Sequence, residues 1–382
     1  MKLALVVIIC CLVCSAVPTA SPIRAANTSA FERSTTATIT ATRPIKVTRT
    51  SAPGSRSLGA LQPGDRVLVE GRDDKGTWLY VDSTVGAGYL SASAVAAESS
   101  LDAVPIVAGD LHAPTLPEAA PVADPVKFPI LPDVSDFTRT IYQRGQTAGV
   151  HADVFTKIGD CMTADNLYFL GKFGSGDYQL GKYDNLQDVI SYYSQSPVAG
   201  SKDNSFVWRS QAALTGFNAA SVEDANWTDP KLCKANETPL TCEYRLSKPS
   251  IAIIMFGTND ISALTSPQFD FFLRLVVHDT ITHGTIPLLS TFPGSPVYEK
   301  KSNQFNQVIF QVARDYDVPV VNLWLAIQPL PGNGRNAESA YLTRPPNTEV
   351  ATFTDTNLRY GYTMRNLVTL QALDIVWRGV MR

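Results

Sequence analysis

Apolar and polar residues alternate in two different ways along the chain. Between about residues 37 and 95, β-rich runs such as RVLVEGR and WLYVD are separated by turn sequences such as QPGD and DDKG, and no helical period is visible. From about residue 134 to residue 382, apolar runs of strand length alternate with segments whose apolar residues recur at i, i+3 and i+4. The first pattern predicts a small antiparallel barrel. The second predicts an α/β domain with a parallel sheet and helices on both sides.

The α/β region contains four runs of strand length, namely VFTKIGD, SIAIIMFG, TIPLLSTF and VPVVNLW. The predicted helices are FTRTIYQRGQTAG, PQFDFFLRLVVHDTITHG, QFNQVIFQVARDYD and an amphipathic LVTLQALDIVWRGV. SIAIIMFG is continuously apolar from Ile251 to Phe256, which is typical of a strand covered on both faces. Sites in such sheets lie beyond the carboxyl ends of the strands, where the sequences IGDC and FGTND fall.

The N-terminal sequence MKLALVVIICCLVCSA predicts a signal peptide over residues 1–20. It has one lysine, then an apolar run, then small residues, which is the order of a secretory signal. An N-terminal membrane anchor is the alternative, but the run is short for a bilayer and Pro18 follows it. We therefore expect a secreted or cell-surface protein with no transmembrane segment after removal of the signal. Prolines recur over residues 96–133, which predicts a semi-extended linker between the two folded regions.

The net charge argues against one class of partner, and the positions of the cysteines predict one disulfide. The formal net charge of -3 leaves no basic patch large enough to indicate a nucleic acid partner. Of the six cysteines, three lie in the signal sequence. Cys233 and Cys242 close a short loop and are predicted to form a disulfide, because an exported protein meets an oxidising environment. Cys161 is left without a partner.

Two motifs at predicted strand ends carry the candidate chemistry. They are Gly-Asp-Cys at 159–161 and Gly-Thr-Asn-Asp at 257–260. Acyl transfer needs a nucleophile on a sharp turn, hydrogen-bond donors aimed at the oxyanion, and a base. Cys161 is the candidate nucleophile. Its backbone amide, the side-chain amide of Asn259 and the amide of Gly216 are the candidate donors.

The remaining residues of both motifs have supporting roles in this interpretation. Gly159 and Gly257 allow the tight turns, and Asp160 and Asp260 organise those turns by accepting backbone amides. Asn259 has the same alternative role as a turn residue. No cluster of histidines and cysteines has metal-ligand spacing, so no metal and no cofactor is expected.

On these motifs the region 134–382 resembles the SGNH (GDSL-type) hydrolases, a family of esterases and acyl hydrolases. IGDC stands where that family carries its GDS nucleophile block, Gly216 matches its glycine block, and GTND matches its Gly-x-Asn-Asp block. The resemblance implies a three-layer α/β/α sandwich and an acyl-ester ligand.

Two positions depart from the family pattern. Cys161 replaces the nucleophilic serine, and Glu338 and Tyr341 stand at the spacing of the late Asp-x-x-His block, so the histidine is lost. None of the four histidines is well placed to act as the base; they are His112, His151, His278 and His283. This degenerate triad predicts weak or no ester hydrolysis and a role in binding an acylated or carbohydrate surface component. The alternatives are an active esterase or deacylase that uses Cys161 as nucleophile, and a Cys161 without chemistry.

The region 37–95 resembles a bacterial SH3 (SH3b) domain. The shared features are a Leu-Gly pair before a Pro-Gly-Asp turn at 63–65, Trp78 at the start of a strand, and Gly-Tyr-Leu at 88–90. The resemblance implies binding of cell-wall material; a spacer barrel whose aromatic residues are core is the alternative. Near the C-terminus, Arg359 and Arg365 have two interpretations, as groups that hold an anionic ligand or as residues that pack along the final helix.

Overall fold

The structure is a computed structural model that describes residues 37–48, 51, 55, 57–73, 75–97, 101, 104, 106, 124–337, 339 and 341–382. The predicted signal peptide (1–20) lies outside the described residues, as does Glu338. Much of the predicted linker, from 107 to 123, also lies outside them.

An antiparallel β region comes first in the described chain. Its seven strands are β1 Ala37–Ala41, β2 Ile45–Thr48, β3 Ser57–Leu61, β4 Arg66–Arg72, β5 Trp78–Asp82, β6 Gly88–Ser91 and β7 Val95–Ala97. They are hydrogen-bonded in the order β3-β2-β6-β5-β4-β1-β7, and every pairing is antiparallel. This confirms the predicted antiparallel β region, whereas its likeness to SH3b domains stays a prediction.

A four-stranded parallel sheet forms the centre of the second region. Its strands are β8 His151–Gly159, β9 Pro249–Met255, β10 Ile286–Ser290 and β11 Val320–Val321, in the spatial order β11-β10-β9-β8. All seven residues of β9 are buried, as expected for a strand covered on both faces. The predicted α/β fold with a parallel sheet is therefore confirmed.

Helices in two groups cover this sheet. They are α1 Asp136–Thr147, α2 Cys161–Ala164, α3 Gly171–Ser175, α4 Gln187–Ser194, α5 Pro239–Ser247, α6 Asp260–Ala263, α7 Ser266–Thr282, α8 Glu299–Asp315, α9 Leu323–Ile327 and α10 Gly361–Met381. In one group α1 and α4 pack on α10, and in the other α7 packs on α8; both groups contact the sheet. No helix among the residues described above is long and apolar enough to cross a membrane.

Two predicted elements differ from the structure. VPVVNLW was expected to be one strand, but only Val320 and Val321 pair with β10. The side chain of Asn322 then accepts a hydrogen bond from the Leu325 amide at 3.1 Å and caps α9, so local capping ends the strand. The final helix was expected to be amphipathic. Instead α10 begins at Gly361 and is buried on most of its circumference, because it packs against α1, α4 and α9.

The β region contacts the α/β region along α7. Leu68 of β4 packs against Phe271 and Leu275 of α7. The guanidinium of Arg274, also on α7, lies 3.4 Å from the carboxylate of Asp82 on β5. Strand residues alternate in direction, so the side of β4 and β5 that faces α7 is opposite to the core of the β region. The contact thus combines a small apolar patch with a buried ion pair.

Cys233 and Cys242 are joined by a disulfide, as predicted. The bond closes the segment that leads into α5.

Candidate functional site

Cys161 stands at a sharp turn between a strand and a helix. β8 ends at Gly159 and α2 begins at Cys161, so the half-buried thiol lies at the carboxyl end of the sheet. Gly159 has φ +154°, and a Cβ there would lie 2.4 Å from the carbonyl oxygen of Met255. The carboxylate of Asp160 accepts a hydrogen bond from the Met162 amide at 2.9 Å and caps α2. The turn therefore depends on a glycine and on a buried aspartate.

Arg365 of α10 supports this turn from behind. Its guanidinium donates to the carbonyl oxygen of Met162 at 2.7 Å and to Oγ1 of Thr163 at 2.9 Å, and it stacks on the ring of Phe169 at 3.7 Å. Burial raises the pKa of Asp160, and the charge of Arg365 acts in the opposite direction. Arg365 is buried, so of its two sequence interpretations the structure gives the packing one.

A loop at 212–219 lies beside the end of β8 and joins the two motifs. The Gly159 amide donates to the Ala212 carbonyl at 3.0 Å, and the Leu214 amide donates to the Gly159 carbonyl at 3.3 Å. On the other side of the loop, Nδ2 of Asn259 donates to the Phe217 carbonyl at 2.8 Å. The structure thus brings the two predicted motifs to one loop.

Asp260 fastens the same loop to the second motif. One carboxylate oxygen accepts from the Ala219 amide at 2.7 Å and the other from the Gly257 amide at 2.8 Å. Burial raises the pKa of Asp260 to about 7. A Cβ at Gly257 would lie 2.4 Å from the ring of Phe292, so this position also requires glycine. Asp260 and Gly257 therefore shape the site rather than face a ligand.

Gly216 lies at the exposed tip of this loop. Its φ is +92°, and an added Cβ would meet no atom within 4 Å. Its amide has no acceptor among the residues that the structure describes. The side-chain amide of Asn259 uses one donor on Phe217 and keeps its second hydrogen. The role of these two donors in an oxyanion site stays a prediction.

Tyr341 contacts Cys161 directly. Its hydroxyl oxygen lies 3.1 Å from the sulfur. Tyr341 is held in a short antiparallel turn, because the Asn336 amide donates to its carbonyl at 2.9 Å and Arg335 pairs with Leu342. The structure thus brings Cys161 and Tyr341 into contact; their correspondence to a serine and a histidine stays a prediction. The position of Glu338 is outside the described residues.

Neither Cys161 nor Tyr341 can act as a base at neutral pH, because each keeps its own proton. Burial raises the pKa of the Cys161 thiol and the charge of Asp160 adds to the rise, while the Tyr341 hydroxyl and the backbone amides of Met162 and Cys161 act in the opposite direction. The hydrogen bond to Cys161, together with burial, raises the pKa of Tyr341 to about 12. At neutral pH the pair is therefore a thiol and a phenol.

The histidines described by the structure lie away from this pair. His151 begins β8, at the opposite end of that strand from Cys161 and therefore about 25 Å away. His283 ends α7, next to the amino end of the sheet. His278 is a half-buried residue of α7, and burial lowers its pKa to about 4. His112 lies outside the described residues.

Arg344 is a residue near the site that no sequence motif indicated. Its guanidinium carbon lies 3.8 Å from the centre of the Tyr168 ring and 5.7 Å from that of Tyr362. The side chain is exposed. The only signal in the sequence is its position three residues after Tyr341.

Side chains of the types that can bind a metal ion lie close together at one place in the described chain. They are Cys233, Glu237 and Cys242. Both sulfurs are in the disulfide and are not available as thiolates. The group is therefore not a metal site.

No family profile matches the chain, and no curated protein sequence matches it. Among solved structures, the lipase/acylhydrolase from Enterococcus faecalis is 17% identical with a TM-score of 0.35, over 59% of this chain and 95% of its own. A GDSL-like lipase from Bacteroides thetaiotaomicron VPI-5482 is 12% identical with a TM-score of 0.32, over 63% and 98%. A variant of an acetyl xylan esterase from Geobacillus stearothermophilus is 15% identical with a TM-score of 0.36, over 58% and 94%. Similarity of this extent does not establish a shared activity.

Proposed function

We propose that this chain is an exported SGNH/GDSL-hydrolase-like protein that binds an acylated or carbohydrate surface component and has weak or no ester hydrolysis. The observation that carries this proposal is the contact of 3.1 Å between the sulfur of Cys161 and the hydroxyl of Tyr341. It stands at the positions where the family pattern has a nucleophile and a base.

The chemistry of the pair argues against efficient turnover. The thiolate is the reactive form of cysteine, and an ordinary thiol keeps only a few per cent of it at neutral pH. Here burial and the charge of Asp160 raise the pKa of Cys161 and reduce that fraction. A phenol with a pKa of about 12 does not take the proton at neutral pH. Loss of a triad member lowers turnover by several orders of magnitude.

The binding half of such a site is better preserved than its catalytic half. The amide of Gly216 and the second amide hydrogen of Asn259 are donors without an acceptor from the described protein chain. A carbonyl oxygen of an acyl group would satisfy them. A ligand held in this way would not be hydrolysed efficiently, because the group that contacts the sulfur, Tyr341, keeps its own proton at neutral pH.

The alternative function is an active extracellular esterase or deacylase that uses Cys161. It is favoured by the high intrinsic nucleophilicity of a thiolate. It is also favoured by the backbone amides of Cys161 and Met162, which lower the pKa of the thiol. Export, and binding of cell-wall material by the region 37–95, are further parts of the proposal that rest on the sequence alone.

Hydrolysis of a short activated acyl ester tests the proposal. The protein without its predicted signal peptide would be compared with Cys161→Ala, Cys161→Ser and the double variant Cys161→Ser/Tyr341→His. We expect no wild-type activity above that of Cys161→Ala, and measurable activity in the double variant. Wild-type activity that disappears in Cys161→Ala would instead establish the esterase alternative.

A further inference from the structure

The guanidinium of Arg344 lies against the rings of Tyr168 and Tyr362. Its central carbon lies 3.8 Å from the centre of the Tyr168 ring, and the Tyr362 hydroxyl is a hydrogen-bond partner of the same group. A guanidinium has five N–H donors, so donors remain for a ligand. Among the described residues, no carboxylate lies within ion-pair distance of it. An exposed arginine fixed in place without an acidic partner is a donor for an anion.

The backbone around Arg344 fixes its position relative to the thiol. Tyr341 contacts Cys161, and Arg344 follows it by three residues, so their Cα atoms are at most about 10 Å apart. Between them, Thr343 is tied to the start of α10, because its hydroxyl accepts from the Gly361 amide at 2.9 Å and its carbonyl accepts from the Tyr362 amide at 3.1 Å. The backbone of this segment is therefore held in place, and the charge of Arg344 lies near enough to Tyr341 to act on its hydroxyl, whose pKa it works to lower.

Two aspartates of the Cys161 turn, Asp160 and Asp165, have other hydrogen-bond partners in the described structure. Asp160 is buried behind Cys161, where its carboxylate accepts from the Met162 amide. Asp165 uses its carboxylate to accept from the Leu167 amide at 3.0 Å. Neither forms an ion pair with Arg344 in the described structure.

We propose that Arg344 is the anion-binding residue of this site, and that the ligand carries a carboxylate close to its acyl carbonyl. This inference rests on the proposed function in so far as it concerns a ligand bound beside Cys161. The planar N–H edge of arginine matches a carboxylate with two parallel hydrogen bonds. The acyl carbonyl would lie toward the free amides, and the carboxylate toward Arg344.

Alkylation of Cys161 measures this charge without any need for enzymatic activity. Iodoacetate and iodoacetamide differ in charge, and with both the thiolate forms a carbon–sulfur bond while iodide leaves. The measured quantity is the rate constant for iodoacetate divided by that for iodoacetamide. It does not depend on the thiolate fraction, because both reagents react with the same thiolate. For Arg344→Gln we expect this ratio to fall about three- to tenfold relative to the wild type, because a nearby fixed charge attracts the anionic reagent.

Three variants control this measurement. Arg344→Lys keeps the charge and should change the ratio less than about twofold. Arg139→Gln removes an exposed arginine from α1, far from the site, and should leave the ratio unchanged. Cys161→Ala should remove the reaction and identify its sulfur as the one alkylated. An unchanged ratio in Arg344→Gln, or an equal fall in Arg139→Gln, would overturn the inference.

Protection of the thiol tests the class of ligand. Monomethyl succinate and dimethyl succinate share a skeleton, but only the first has a carboxylate. We expect monomethyl succinate to slow alkylation by iodoacetamide in the wild type and not in Arg344→Gln, and dimethyl succinate to protect neither. Equal protection by both compounds would contradict the carboxylate preference. Ester hydrolysis by the wild type would overturn the binding function but leave both results on Arg344 intact.

Discussion

The sulfur of Cys161 and the hydroxyl of Tyr341 lie 3.1 Å apart, and each group has a raised pKa. In a hydrolase of the family that this chain resembles, the second group would be a base that removes a proton from the first. Here the second group is itself a weak acid that holds its proton at neutral pH. The contact therefore pairs a thiol with a hydroxyl that does not remove its proton at neutral pH.

The reactivity of Cys161 with iodoacetamide should consequently rise only at high pH. We expect the midpoint of its pH profile to lie above the ordinary thiol value, because burial and Asp160 disfavour the thiolate. Tyr341→Phe removes a hydroxyl that stabilises the thiolate, so the midpoint should rise further and the rate at pH 8 should fall about two- to fivefold. A midpoint near pH 7 would show that another group lowers the pKa of the Cys161 thiol.

The two glycines of the site should respond differently to alanine. Gly159→Ala places a Cβ 2.4 Å from the Met255 carbonyl oxygen at φ +154°, and we expect it to lower the free energy of unfolding by about 3 kcal/mol or more. Gly216→Ala meets no atom within 4 Å, and its positive φ should cost only about 1–2 kcal/mol. Chemical denaturation of both variants measures the difference. Equal losses would mean that the close approach of β9 to Gly159 can relax.

Arg365 should contribute to stability because its side chain is buried and its guanidinium donates hydrogen bonds to two acceptors of the Cys161 turn. Arg365→Met leaves the Met162 carbonyl and the Thr163 hydroxyl without a donor and removes the charge facing Asp160. We expect a loss of about 2–4 kcal/mol. Arg359→Gln is a matched control on an exposed arginine and should change stability by less than about 0.5 kcal/mol. A small effect of Arg365→Met would show that the turn at Cys161 does not depend on these hydrogen bonds.

The sequence was sufficient to predict the fold class because its periodicity is strong where the chain is buried. The continuous apolar run of β9 and the capped, periodic α7 lie where the pattern placed them, since local signals and tertiary burial agree. The run VPVVNLW was predicted wrongly because the capping side chain of Asn322 outweighs strand propensity there. No periodicity reveals such a local competition.

The candidate site was only partly accessible to sequence analysis. Motif spacing was enough to expect Tyr341 near Cys161, because both belong to recognisable blocks. Spacing could not distinguish the two interpretations of Arg365, since burial depends on how α10 packs. Arg344 was missed because its significance comes from the ring of Tyr168, which is distant in sequence.

Acidic residues crowd the contact between the β region and α7. The guanidinium of Arg274 lies 2.9 Å from Asp270, 2.7 Å from Asp315 and 3.4 Å from Asp82. Glu70 of β4 faces the same group. Burial raises the pKa of Glu70 to about 7, the charges of Asp270 and Asp315 add to the rise, and Arg274 acts in the opposite direction. The single positive charge of Arg274 thus faces four carboxyl groups.

The stability of the protein should therefore fall as Glu70 ionises. Its folded-state pKa of about 7 lies above its ordinary value of 4.5, so the folded state binds more protons than the unfolded state between these two values. The free energy of unfolding contributed by Glu70 consequently decreases as pH rises through this window and is constant above it. Glu70→Gln cannot ionise, so it should raise the free energy of unfolding at pH 8 by about 1–3 kcal/mol and leave it nearly unchanged at pH 4.5.

Denaturant unfolding of wild type and Glu70→Gln at pH 4.5 and pH 8 measures this effect. The difference between the two proteins reports the ionisation of Glu70 together with its effect on the neighbouring Asp82, whose pKa the charge of Glu70 raises. Glu299→Gln, at an exposed position on α8, should show no comparable gain at pH 8. If Glu70→Gln instead destabilises the protein at pH 8, attraction to Arg274 outweighs the cost of burying the ionised Glu70 carboxylate, and the contact between the two regions strengthens rather than weakens as pH rises.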